Sequence, residues 1–140
     1  MKRLIIILPI FIFVFLSESC QAQSEKNTEV QKLTSNNEIS VYYFHFTKRC
    51  ATCKAVESES LKVLETIYTD QYNSGQITFQ SYNLDESESK VVANKLKVSG
   101  QALLIIKGDD VKDLTNQGFM YARSNPAKFH TEIESAIGKL

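Results

Sequence analysis

The chain predicts one α/β domain with the element order β-α-β-α-β-β-α. Two runs rich in β-branched and aromatic residues, "ISVYYFHF" (39–46) and "ITFQSYNL" (77–84), and a short continuous apolar run, "ALLII" (102–106), read as strands. The intervening and following segments repeat their apolar residues at three- and four-residue steps, the period of a helix with one buried face. The 140 residues suffice for one domain but not for two.

The first strand is apolar on both alternating faces, as a central strand covered on both sides should be. After Cys50, residues Val56, Leu61, Leu64, Ile67, Tyr68 and Tyr72 give one long helix, which Gly75 would stop. In "DESESKVVANKLKV" (85–98), Asp85 or Ser87 offers an N-cap and Val91, Val92 and Leu96 an apolar stripe. After the run at 102–106, "KGDD" (107–110) reads as a turn and "VKDLTNQGF" (111–119) as a returning antiparallel strand. "MYARS" (120–124) reads as an approach to the last helix. Asn125-Pro126 opens that helix, with proline where its missing N–H costs nothing, and Phe129, Ile133, Ile137 and Leu140 face inward.

The N-terminus reads differently. Lys2-Arg3 precede "LIIILPIFIFVFL" (4–16), thirteen apolar residues where a membrane-spanning helix needs about 20. A charged start, a short apolar run and small residues after it fit an export signal over residues 1–22. Cys20 and Ala22 suit cleavage before Gln23; alternatively, Cys20 becomes the lipidated first residue of a lipoprotein, the one case in which a membrane attachment is expected. Residues 23–37 read as a polar tether and 38–140 as the folded domain. The expected location is the periplasm or cell envelope. Without Lys2, Arg3 and Glu18, 14 basic residues face 15 acidic ones, so no basic field exists to hold nucleic acid. A chain of this size buries enough apolar surface to fold without a disulfide or a metal. A monomer with no cofactor is expected.

The folded domain retains two cysteines, Cys50 and Cys53, in "FTKRCATCKAVE" (46–57). A cysteine at a helix N-terminus meets unpaired N–H groups and the positive end of the helix dipole, which favour its thiolate. Lys48 and Arg49 are expected to add positive charge. Cys53, one turn on, reaches the same side. Cys50 is therefore the candidate nucleophile, and Cys53 the thiol that resolves the mixed disulfide Cys50 forms with a partner. A structural zinc site wants four ligands, and the spacing of these cysteines with His45 and His130 matches no zinc pattern, so no metal site is assigned. A structural disulfide closing so short a loop would stabilise little. Binding of a soft ion such as arsenite or copper(I) stays open as the competing reading.

The order of elements, with CxxC at the junction of first strand and first helix, resembles thioredoxin from about residue 39 to the C-terminus. "ITFQSYNLD" resembles the second strand of that fold, and "LKVSG" followed by "LLIIKGD" the crossing into its hairpin. The resemblance implies a thioredoxin fold, a mixed four-stranded sheet flanked by helices, and a thiol–disulfide oxidoreductase whose partner is a protein disulfide, a dithiol or a redox donor. Among subfamilies, "YYFHFTKRCATCKAVE" is most similar to small exported thioredoxin-like proteins described as a nitrophenyl-compound nitroreductase subunit and associated with arsenic resistance. That likeness implies an electron-transfer subunit or a soft-ion module as alternatives.

The sequence departs from the thioredoxin pattern at several points. The buried acid expected six residues before the first cysteine falls on Phe44. His45 beside it is a candidate proton carrier, although a strand histidine among aromatics is more often simply packed. Arg49 replaces the usual tryptophan, and Ala51-Thr52 replace Gly-Pro. The cis-proline that packs against the cysteine pair is absent, its place falling on Gln101 or Ala102. The resemblance links that loss with ion capture by the thiolates.

Overall fold

In a computed structural model, residues 38–140 are described; the expected export segment (1–22) and tether (23–37) lie outside the described residues. Strand β1 (Ile39–His45) is the organising element. It pairs in parallel with β2 (Ile77–Asn83) on one side and antiparallel with β3 (Ala102–Lys107) on the other, and β3 pairs antiparallel with β4 (Asp110–Asp113). The sheet order is β2-β1-β3-β4, so the expected mixed four-stranded sheet is present. The parallel pair needs a crossover, supplied by helices α1 (Ala51–Thr66) and α2 (Thr69–Asn73). Helix α3 (Ser87–Lys95) connects β2 to β3, and α4 (Thr115–Tyr121) and α5 (Pro126–Ile137) close the chain.

Residues on β1 alternate between two cores, as the two-residue period of a strand requires. Val41 and Tyr43 join Val56, Val63, Leu64, Leu103, Ile105, Phe129 and Ile133 on the side of α1 and α5. Tyr42 and Phe44 join Leu84, Ala93, Leu104 and Ile106 on the side of α3. Both faces of β1 are therefore covered, which explains the unbroken apolar and aromatic run Val41–Phe44 at its buried centre.

Two expected elements differ. The long first helix ends at Thr66. Ile67 and Tyr68 both donate their N–H to the Val63 carbonyl, at 2.8 and 3.3 Å, and this widened turn changes the helical phase. Tyr68 and Tyr72 then return to the core while Ile67, expected inside, is exposed. The returning strand stops at Asp113, and residues 115–121 are helical. The Asp113 carboxylate accepts from the Thr115 N–H at 2.8 Å, and Leu114, Gly118 and Ala122 turn inward at four-residue steps. The stripe on α3 is also rotated: Ser89 and Ala93 are buried, whereas Val91 is exposed. The last helix buries Phe129, Ile133, Ala136 and Ile137, with Leu140 packed against them. Among the described residues no helix is long and apolar enough to cross a membrane.

Candidate active site

Strand β1 ends at His45, and five residues later the chain enters α1. Cys50 is the N-cap of that helix, in extended backbone (φ −75°, ψ 170°), with its sulfur accepting the Cys53 N–H at 3.3 Å. A capping sulfur takes the place more usually filled by a serine or aspartate oxygen. Because the N-cap lies outside the helix and Cys53 one turn inside it, the two thiols have different surroundings. Cys50 is exposed; Cys53 is 3% exposed.

These surroundings set the two acidities apart. The Cys53 S–H and then the Cys53 backbone N–H, both directed at the Cys50 sulfur, hold the Cys50 pKa below the ordinary thiol value. Burial, and next the hydrogen bond that the thiol form donates to Cys50, push the Cys53 pKa up. At a given pH the thiolate therefore sits on the outer sulfur and the proton on the inner one.

The Arg49 guanidinium is bonded to the Glu57 carboxylate on the next turns of α1, so the positive charge expected near Cys50 is paired with a negative one. Lys48 is exposed on the loop before the helix. His45 lies at the end of β1 on the Tyr43 side, ring centroids 5.6 Å apart, and its Nδ1 donates to the Phe46 carbonyl at 2.9 Å.

Gln101 is brought to the site from the far side of the sequence. Ala102, buried, opens β3 opposite Phe44, and this pairing sets Gln101 just beyond the end of the strand pair. The Gln101 side-chain oxygen accepts from the Cys53 thiol at 3.5 Å. All the described peptide bonds are trans. Of the two positions to which the sequence assigned the missing proline, Gln101 is thus the one whose side chain meets a sulfur.

The residue the sequence reading missed is Tyr43. Counting six back from Cys50 reaches Phe44, but Phe44 faces the α3 side, stacked on Tyr82 at 5.2 Å. Beneath the cysteine pair lies Tyr43, whose hydroxyl donates to the Cys53 carbonyl at 2.9 Å from a fully buried ring. Burial first, and then the neighbouring Cys53, push its pKa far up, so it remains a neutral donor. Strand period was the available signal: residues 41, 43 and 45 share the face on which α1 lies. Among the described residues, no group of three or more His, Cys, Asp and Glu side chains comes together as a metal cage.

No protein-family model matches the chain, and no curated protein sequence matches it. Solved structures do. The thioredoxin O2 of Arabidopsis thaliana, crystallised in its oxidized state, superposes with a TM-score of 0.55 at 21% identity, covering 79% of this chain and 85% of that one. The oxidized form of mitochondrial thioredoxin 3 from Saccharomyces cerevisiae gives 0.49 at 21% identity, covering 78% and 89%. The first of these likenesses, with the sheet order above, shows that the chain has the thioredoxin fold.

Proposed function

We propose that the protein is a thiol–disulfide oxidoreductase acting through Cys50 and Cys53. One observation carries this reading: an exposed, acidified thiol caps the helix directly in front of a buried, less acidic one. The Cys50 thiolate attacks one sulfur of a partner disulfide. A Cys50–partner bond forms, and the electron pair leaves on the other partner sulfur, which takes up a proton. Cys53, deprotonated, then attacks the Cys50 sulfur. The Cys50–Cys53 disulfide forms and the partner is released as a dithiol, reduced by two electrons that the protein has lost. Run backwards, the same steps oxidise a partner. The apolar run at 4–16 supports placing this chemistry outside the cytoplasm, in the periplasm or on the envelope.

The test is alkylation as a function of pH. A depressed pKa keeps Cys50 ionised at lower pH, so its rate should reach half-maximum below the range of an ordinary thiol; Cys53 should reach it above. Near neutrality Cys50 should react at least about tenfold faster. Cys53→Ala should accumulate mixed disulfides and Cys50→Ala should not. Equal alkylation curves, or trapping by the opposite variant, overturn the roles.

A second reading has its own support. The two sulfurs adjoin one another, one is open to solvent, and among the described residues no His, Asp or Glu joins them to make a three-ligand group. Such a pair suits a soft, low-coordinate ion such as arsenite or copper(I) better than zinc. A module of that kind, or an electron-transfer subunit of a partner reductase, would bind stoichiometrically or require its partner, and would not reduce a model disulfide with turnover.

A further inference from the structure

We propose that Gln101 is the working partner of the resolving sulfur, supporting Cys53 as a thiol in the resting protein and as a thiolate during release of the partner. The inference rests on the exchange reading above and assigns a residue to its second step.

Cys53 has a single S–H and two acceptors for it: the Cys50 sulfur and the Gln101 oxygen, the latter at 3.5 Å. In the resting protein the Cys50 thiolate is the stronger acceptor, because it carries the charge. Once Cys50 is bonded to a partner its sulfur is neutral and accepts poorly. Gln101 is then the acceptor that remains. Cys53 must next ionise, while 3% exposed. An ionised sulfur buried without a donor is strongly disfavoured. The backbone N–H groups of Cys50 and Cys53 offset this only in part, since burial still pushes the Cys53 pKa up, and the Tyr43 hydroxyl gives its proton to the Cys53 carbonyl instead.

A glutamine amide meets both requirements, since its oxygen accepts and its nitrogen donates. Half a turn about its last bond brings Nε2–H to the place where Oε1 now meets the sulfur. The thiolate then attacks Cys50, the Cys50–Cys53 bond forms, and the bond to the partner breaks. The electron pair leaves on the partner sulfur, which takes up from solvent a proton equivalent to the one Cys53 gave up. The backbone of Gln101 is set by the pairing of Ala102 with Phe44, so the amide can turn without the chain moving.

The test is a two-phase reaction of the reduced protein carrying Cys20→Ser, which removes the third thiol of the full chain, with the chromogenic disulfide dithiobis(nitrobenzoic acid). Attack by Cys50 frees a first coloured thiolate and leaves a mixed disulfide; attack by Cys53 frees the second. Gln101→Leu should leave the first phase within about twofold of wild type and slow the second by about tenfold at neutral pH, the size of a lost hydrogen bond to a charged group. Its second phase should recover as pH rises, because the missing donor displaces the Cys53 ionisation upward. Gln101→Glu, which can accept but cannot donate and places negative charge beside the thiolate, should be slower still. The two variants provide separate readings if one folds poorly. Wild-type second phases in both across the pH range overturn the inference. So does a Gln101→Glu second phase faster than wild type, because a base alone would then suffice. Loss of the first phase in the wild type instead strikes the exchange reading itself.

Discussion

The two faces of strand β1 carry similar residues to different ends. On the α3 side, Tyr42, Phe44 and Tyr82 pack ring on ring, with edge contacts at 5.5 and 6.5 Å and one stacked pair at 5.2 Å. On the α1 side, Tyr43 lies under the first turn of the helix and holds the carbonyl of a candidate catalytic cysteine. The difference lies in what each face meets. The α3 side meets a short helix whose buried positions are Ser89 and Ala93, so aromatic side chains from the sheet fill the space. The α1 side meets two longer helices whose own Val56, Val63, Leu64, Phe129 and Ile133 fill it. Gly118 on α4 allows the close approach there: a Cβ at that position would lie 3.2 Å from both methyls of Val56. One face is a lining for the sheet; the other is a rigid platform for the helix that presents Cys50.

Truncation within each core gives the largest expected effect. Phe129→Ala removes a fully buried ring beneath the platform and should cost about 3–5 kcal/mol of stability. Leu96→Ala, a half-buried residue at the end of α3, should cost on the order of 1 kcal/mol, because less of its surface leaves water on folding. Chemical denaturation measures both. If Leu96→Ala proves as costly as Phe129→Ala, the α3 side is as much a structural keystone as the platform and the contrast fails.

The same substitution on the two faces sharpens the comparison. Tyr43→Phe keeps the ring and deletes the hydroxyl that donates to the Cys53 carbonyl, a loss of about 0.5–1.5 kcal/mol. Tyr42→Phe deletes a hydroxyl that meets Ser40, at the opposite end of the strand from the cysteines. Stability should fall modestly in both. Only Tyr43→Phe should slow the second phase of disulfide exchange, by a factor of about two to ten. The raised pKa of Tyr43 gives the sign of the pH dependence: the group stays protonated through neutrality, so its deficit should not change there with pH. An equal kinetic effect from Tyr42→Phe would mean that the strand transmits any perturbation to the site and that the hydroxyl has no specific role.

Which features were legible in the sequence follows from how local their causes are. Strands β1, β2 and β3 declared themselves by β-branched and aromatic runs, and the CxxC at the mouth of a helix by spacing alone. Helix α4 was hidden because its middle inward position is Gly118: a strand pattern and a helix pattern look alike when one apolar marker is a glycine. The break at Ile67 was hidden because it depends on which carbonyl accepts a proton rather than on composition. At the site, Arg49 was expected to add positive charge near Cys50, and the pairing of that charge with Glu57, two turns along the helix, is not visible from composition. Gln101 could be placed near the pair by likeness to thioredoxin, but its contact with Cys53 depends on the β1–β3 register. Tyr43 required knowing which face of β1 carries α1, a question of topology.

The smallest effect is expected at the end of α3, on the face away from the chemistry. After the C-cap Leu96 the chain turns through Lys97, whose φ of 56° is in the left-handed region, and Val98 donates its N–H back to the Ala93 carbonyl at 2.8 Å. This is the usual way a helix ends, but the position is normally filled by glycine. A side chain there crowds the following carbonyl, at about 1–2 kcal/mol. Glycine removes the crowding yet loses more conformational freedom on folding, which takes back part of the gain. Lys97→Gly should therefore raise stability by about 0.5–1 kcal/mol. Both kinetic phases of disulfide exchange should stay at wild-type values, because Leu96 and Val98 pack into the α3-side core, away from the platform. A stabilised variant with altered exchange would show that the end of α3 communicates with the cysteine pair, and the separation of the two faces would have to be abandoned.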